Sequence, residues 1–216
     1  MQRELHRPLP GRENRPTLRR EGAKLFLMKM ETQEILRVIR KEFFAYRNGI
    51  VADKLRKAGD PHTMVMGCLL ADVMDITGRT RDAINDKAQL QALARELWND
   101  TNSRECRLAA PMLYPAELMS PEEALEWCSG IETAEIADNL CHKLLRHLPE
   151  ADTLFRKLIA QEQTMVKYTG YRLLLNLLLT GKTQATPSLK SIVEAEAAHA
   201  QPQLTALLRD VLEEFQ

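Results

Sequence analysis

The sequence is poor in the residues that make turns and sheets. It has nine glycines in 216 residues and 5% aromatics, and it contains no convincing stretch of alternating apolar and polar residues. A turn-rich all-β protein needs the first, and a half-buried strand shows the last. No apolar stretch approaches the ~20 residues of a membrane span; 173–179 is among the longest. The first residues carry arginines but no apolar core of a leader, so a secretory signal is not expected. The four cysteines, Cys68, Cys106, Cys128 and Cys141, form no C-x-x-C pair. They read as buried free thiols of a reducing cytoplasm rather than a disulfide framework. A phosphate-cradling glycine loop, H-E-x-x-H, G-x-S-x-G and zinc-finger spacings are all missing. His142 and His147 are five apart and do not share a helix face, so neither a metal pair nor a cofactor is expected. Net charge decides nothing, because thirty basic and thirty acidic residues cancel. A polyanion partner would need a basic patch on one face balanced by acid elsewhere.

What is present is helix. Hydrophobic content is 44%, enough for a real core, and leucine and alanine are abundant. The expectation is an all-α chain with a single domain over 28–216. Residues 1–23 hold six arginines, three glutamates and three prolines with almost no apolar periodicity, so 1–27 is expected to be a disordered arm. Helices are expected at 31–46 and 51–57 and within 62–78. From residue 86 onward the pattern becomes regular, with helices near 86–98, 104–114, 121–129, 134–147, 151–160, 164–180, 187–198 and 203–215. These pair off, two helices to a unit of roughly 30–39 residues, the signature of an α-solenoid of HEAT or armadillo type. In such a stack the second helices line a concave binding surface. The helix at 164–180, apolar nearly all round, is expected to be the most buried.

The stretch 120–179 centres on Asp138. Ser120, Pro121 and Glu123 form an N-cap, a first-turn proline and a capping-box acid, and Gly130 ends that helix. The next helix carries an apolar stripe of Ala137, Leu140, Cys141, Leu144, Leu145 and Leu148. Asp138 falls on the border of that stripe, beside His142 one turn on. Basic and aromatic residues recur on the second helices: Arg104 and Arg107, then His142, Lys143 and Arg146, then Lys167, Tyr168, Tyr171 and Arg172. Two readings stand side by side. One is a set of solvated faces with long stems lying on the core; the other is a basic, aromatic-studded strip that grips a phosphate backbone.

Three segments in order carry a resemblance: LARELWNDTNSRECRLAAPML at 93–113, SPEEALEWCSGIETAEIADNL at 120–140 and MVKYTGYRLLLNLL at 165–178. Together they resemble the DNA alkylation repair family of HEAT-like repeat glycosylases. The resemblance implies a curved stack of helix pairs that binds duplex DNA, alkylated or distorted, in its concavity and excises N3- and N7-alkylated purines. A cytoplasmic monomer with no membrane association is expected. It also implies Asp138 as the catalytic carboxylate, with Arg104, Arg107, Lys143, Lys167, Tyr168 and Arg172 as DNA contacts. Two positions depart from the family pattern. Ala134 stands where a tryptophan precedes the aspartate by four residues, and Lys167 and Tyr168 stand where an arginine pair precedes the threonine, here Thr169. A non-catalytic helical-repeat module that binds DNA structure or a protein partner is the alternative.

Overall fold

The structure, a computed structural model, describes residues 31–216; the arm expected over 1–27 lies outside the described residues. Among the described residues eleven α-helices follow one another: α1 (Thr32–Ala45), α2 (Gly49–Lys57), α3 (Leu70–Ala83), α4 (Lys87–Asn99), α5 (Arg104–Leu113), α6 (Pro121–Ser129), α7 (Ala134–Lys143), α8 (Ala151–Ile159), α9 (Thr164–Leu179), α10 (Pro187–Ala197) and α11 (Pro202–Glu213). Short 3-10 turns lie at Ala116–Leu118 and Leu145–His147. Among the described residues there is no strand, only an isolated bridge between Met64 and Ser103, in keeping with the all-α expectation. No helix there is long and apolar enough to cross a membrane.

Local chemistry sets most helix starts. Asn48, Asp86, Ser103, Ser120, Thr133 and Thr186 each accept a backbone N–H of the following turn on a side-chain oxygen. Each such cap contributes about 1 kcal/mol. Pro121, Pro187 and Pro202 open α6, α10 and α11, where a missing N–H costs nothing. Gly130 ends α6 as expected, but at φ −94° rather than in the left-handed region.

The helices pack in an ordered way. α3, α5, α7, α9 and α11 each lie against the next, while α4 packs on α5, α8 on α9 and α10 on α11. Trp98 of α4 and Trp127 of α6 stack with ring centroids 4.3 Å apart, and Tyr114 meets Trp127 edge-on. The expected stripe of α7 is buried from Ala137 to Leu148, and one cluster of buried side chains runs from Ile35 to Val211. All four cysteines are free and buried. Burial pushes the Cys68 thiol up to about 12 and the Cys106 thiol up to about 11, so both stay protonated at neutral pH.

Three expectations are corrected. The helix expected within 62–78 begins only at Leu70. Before it, 61–69 is an irregular strap, because the Glu105 carboxylate accepts the N–H groups of Met66, Gly67 and Cys68 at 3.0–3.3 Å. Gly67 adopts φ +74° there, a conformation open to glycine. The helix expected over 134–147 breaks at Leu144 (φ −129°, ψ −63°) and continues as the 3-10 turn. The most buried helix is α5, not α9. All ten α5 residues are buried, whereas α9 leaves Leu179 62% exposed. α5 is enclosed by α3, α4 and α7.

Candidate functional site

α7 and α9 run side by side and bring three of the expected residues together. On α7, Asp138 lies between the buried Ala137 and Asn139, with its own side chain 38% exposed. On α9, Tyr168 and Arg172 are one turn apart and therefore share a face. The Tyr168 hydroxyl donates to Asp138 Oδ1 at 3.0 Å, and Arg172 Nε lies 3.2 Å from the same oxygen. Among the described residues, Asp138 Oδ2 has no such partner. Burial raises the Asp138 carboxyl above its ordinary range. The Arg172 guanidinium and the Tyr168 hydroxyl pull it only part of the way back, and Glu135 nearby adds a smaller upward push. The Tyr168 hydroxyl is held well above its usual range by burial and by the Asp138 charge, so it is a permanent donor.

The arginine is a difference from the simplest picture of an electrostatic carboxylate, which has no cation permanently on it. The contact is nevertheless loose. Arg172 is 30% exposed on its side chain, and its buried Nε finds no well-directed hydrogen-bond acceptor. One turn before Asp138, Ala134 is exposed and presents only a methyl group. Glu135, next to it, is turned toward α5 and pairs with Arg104.

The other expected contacts are placed differently. Arg104 is buried and donates to Glu135, Glu105 and the Cys68 carbonyl. Arg107 is 4% exposed. Its guanidinium lies 3.7 Å from the Trp98 ring centroid and donates to the carbonyls of Trp98 and Gly130. Burial pushes its pKa down to about 10. Both arginines were expected to touch DNA; in this structure both charges are engaged inside the protein, where each holds neighbouring helices together. Lys167 pairs with Glu196 and faces away from Asp138, toward a groove of about 700 Å³ between α8, α9, α10 and α11. Lys143 remains on the α7 side, with Nζ 3.7 Å from Met74 Sδ of α3.

The local chemistry follows from this placement. A half-buried carboxylate held by a tyrosine and a displaceable arginine can stabilise a positive charge brought close to Oδ2. Sequence reasoning missed Glu135 and Glu105 as the partners that bury Arg104. The charges precede the apolar run LAAPML at 108–113, and no spacing within α5 marks their partners.

A family model described as DNA alkylation repair enzyme matches residues 39–204. No curated protein and no solved structure matches the chain significantly. The matched span covers most of the described helices, including those that carry Asp138, Tyr168 and Arg172. The chain belongs to the DNA alkylation repair enzyme family.

Proposed function

We propose that the chain is a HEAT-like helical-repeat DNA-binding protein that removes cationic alkylated purines from duplex DNA, with Asp138 as the electrostatic catalyst. The observation that carries this is the half-exposed Asp138 carboxylate, oriented by Tyr168 and Arg172 from the neighbouring helix. The successive packing of α3, α5, α7, α9 and α11, each with a flanking helix, supports the solenoid. The buried free thiols fit a reducing cytoplasm.

The chemistry asks little of the protein. A purine alkylated at N3 or N7 carries a positive charge and is already a good leaving group. When the bond from C1′ to the base breaks, its electron pair goes to the purine, which leaves neutral, and the sugar becomes oxocarbenium-like. A carboxylate beside C1′ stabilises that charge, and water adds to C1′ and gives up a proton. For this, Arg172 exchanges Asp138 for a DNA phosphate on binding. Its half-exposed position and poorly satisfied Nε support such an exchange.

The alternative is a module that binds DNA without excising a base. The Arg172–Asp138 contact and the alanine at 134 favour it. One assay separates the two: release of 7-methylguanine or 3-methyladenine from alkylated duplex DNA by wild type and by Asp138→Asn. Excision predicts a fall of about a hundredfold or more in the variant, with DNA occupancy kept. Equal release by both proteins at equal occupancy leaves the binding module.

A further inference from the structure

Cations in this protein often stand against carboxylates: Arg40 on Asp100, Arg79 on Glu42, Arg95 on Glu123, Arg156 on Asp152. Around the C-terminal end of α7 the pattern changes. Lys143 Nζ lies against Met74 Sδ, Arg146 Nε donates to His147 Nε2 at 3.3 Å, and Lys182 Nζ donates to the Arg146 carbonyl at 2.6 Å. Among the described residues none of these three pairs with a carboxylate.

The backbone gathers them. The break at Leu144 turns the chain into the 3-10 turn, so that Lys143, Arg146, His142 and His147 crowd one helix end. Lys182 arrives from the turn after α9, where Gly181 takes φ +65°. The charges feel one another. His142 is depressed by burial, then by Arg146, Lys143, Arg172 of α9 and His147. His147 is depressed by burial, then by Arg146 and Lys182, against a small opposing effect of the His142 carbonyl. Of the acids on the neighbouring elements, Asp138 is engaged by Tyr168 and Arg172, and Asp152 by Arg156 and Thr183. Arg146 can donate to His147 Nε2 only while that nitrogen carries no proton.

Cations at a helix C-terminus relieve the helix dipole, but that function needs neither three cations without a carboxylate nor two imidazoles set among them. We propose that Lys143, Arg146 and Lys182, with His142 and His147 between them, anchor the phosphate backbone of duplex DNA beside Asp138, and that the two imidazoles take up protons as the phosphates dock. The proposal rests on the DNA reading above. Phosphate supplies the negative charge that none of the three cations meets among the described residues. Protonating His147 breaks its bond from Arg146 and frees that guanidinium for a phosphate oxygen. The sign follows. A group whose pKa is low in the free protein and raised in the complex binds a proton on association, so affinity rises as pH falls through that window.

The test is fluorescence anisotropy with a short labelled duplex, titrated over a range of salt at about pH 6 and about pH 8, bracketing the ordinary histidine range. Lys143→Gln/Arg146→Gln/Lys182→Gln should bind roughly tenfold or more weakly, with a log–log salt slope flatter by about two to three units. Wild type should bind more tightly at the lower pH. His142→Ala/His147→Ala should lose most of that pH difference. Thermal melting checks that the triple variant folds; if it does not, the histidine pair decides. A triple variant with wild-type affinity and slope, or a histidine pair with wild-type pH dependence, overturns the anchor and leaves the excision assay untouched. A wild type that binds no duplex overturns the anchor and the DNA reading together.

Discussion

Replacing Arg107 with methionine tests whether this charge serves the fold or a ligand. Methionine keeps an apolar stem over Trp98 but removes two donors, and the Trp98 and Gly130 carbonyls lose their partner. Each charge-assisted hydrogen bond contributes about 1.5–3 kcal/mol, and a desolvated cation over an aromatic ring about 2 kcal/mol. Against this, the variant no longer has to desolvate a guanidinium. The depression of its pKa from 12.5 to about 10 corresponds to a penalty of about 3 kcal/mol. The net is a loss of about 2–5 kcal/mol. For a chain of this size that lowers the thermal midpoint by roughly 5–15 °C. The measurement is thermal or urea unfolding by circular dichroism, alongside duplex binding at a temperature where both proteins are folded. Arg107→Met should be less stable and bind DNA like the wild type. An unchanged midpoint, or a binding defect at unchanged stability, refutes the structural assignment of Arg107.

Glu105→Gln should loosen the strap over 61–69, because an amide has one acceptor oxygen for the three N–H groups now shared by a carboxylate; urea unfolding should show a loss of about 2–4 kcal/mol, and an unchanged midpoint counts against it. Gly170→Ala should cost about 1–3 kcal/mol, since the new Cβ would meet Ile159 N at 2.9 Å and Leu158 Cβ at 2.9 Å, and α8 and α9 would have to separate; wild-type stability would show that the two helices can part freely. Asp138→Asn should fold normally and, under the excision reading, lose base release, measured by chromatography of the freed purine.

Helix content was legible because helices are made of local signals. Capping side chains at Ser103, Ser120, Thr133 and Thr186 and prolines at helix starts act within one turn, and the α7 stripe repeats with the helical period. The strap over 61–69 was not legible, because the carboxylate that organises it lies more than thirty residues away. The break of α7 at Leu144 passed as one continuous periodic run, because the apolar spacing continues through it to Leu148.

The candidate site divides along the same line. Sequence alone determined the helical architecture, the burial of Cys106, Cys128 and Cys141 and the placement of Asp138 at the edge of an apolar face, all consequences of short-range periodicity. Tertiary structure alone decided which charges are free. Arg104, Arg107, Lys167 and Arg172 look alike along the chain, yet the first two are interior cross-braces, the third pairs with Glu196, and the fourth rests on Asp138. A charge becomes available or committed through its distance to an opposite charge on another helix and through its depth from water. Both are properties of packing, and no spacing within a single helix encodes them.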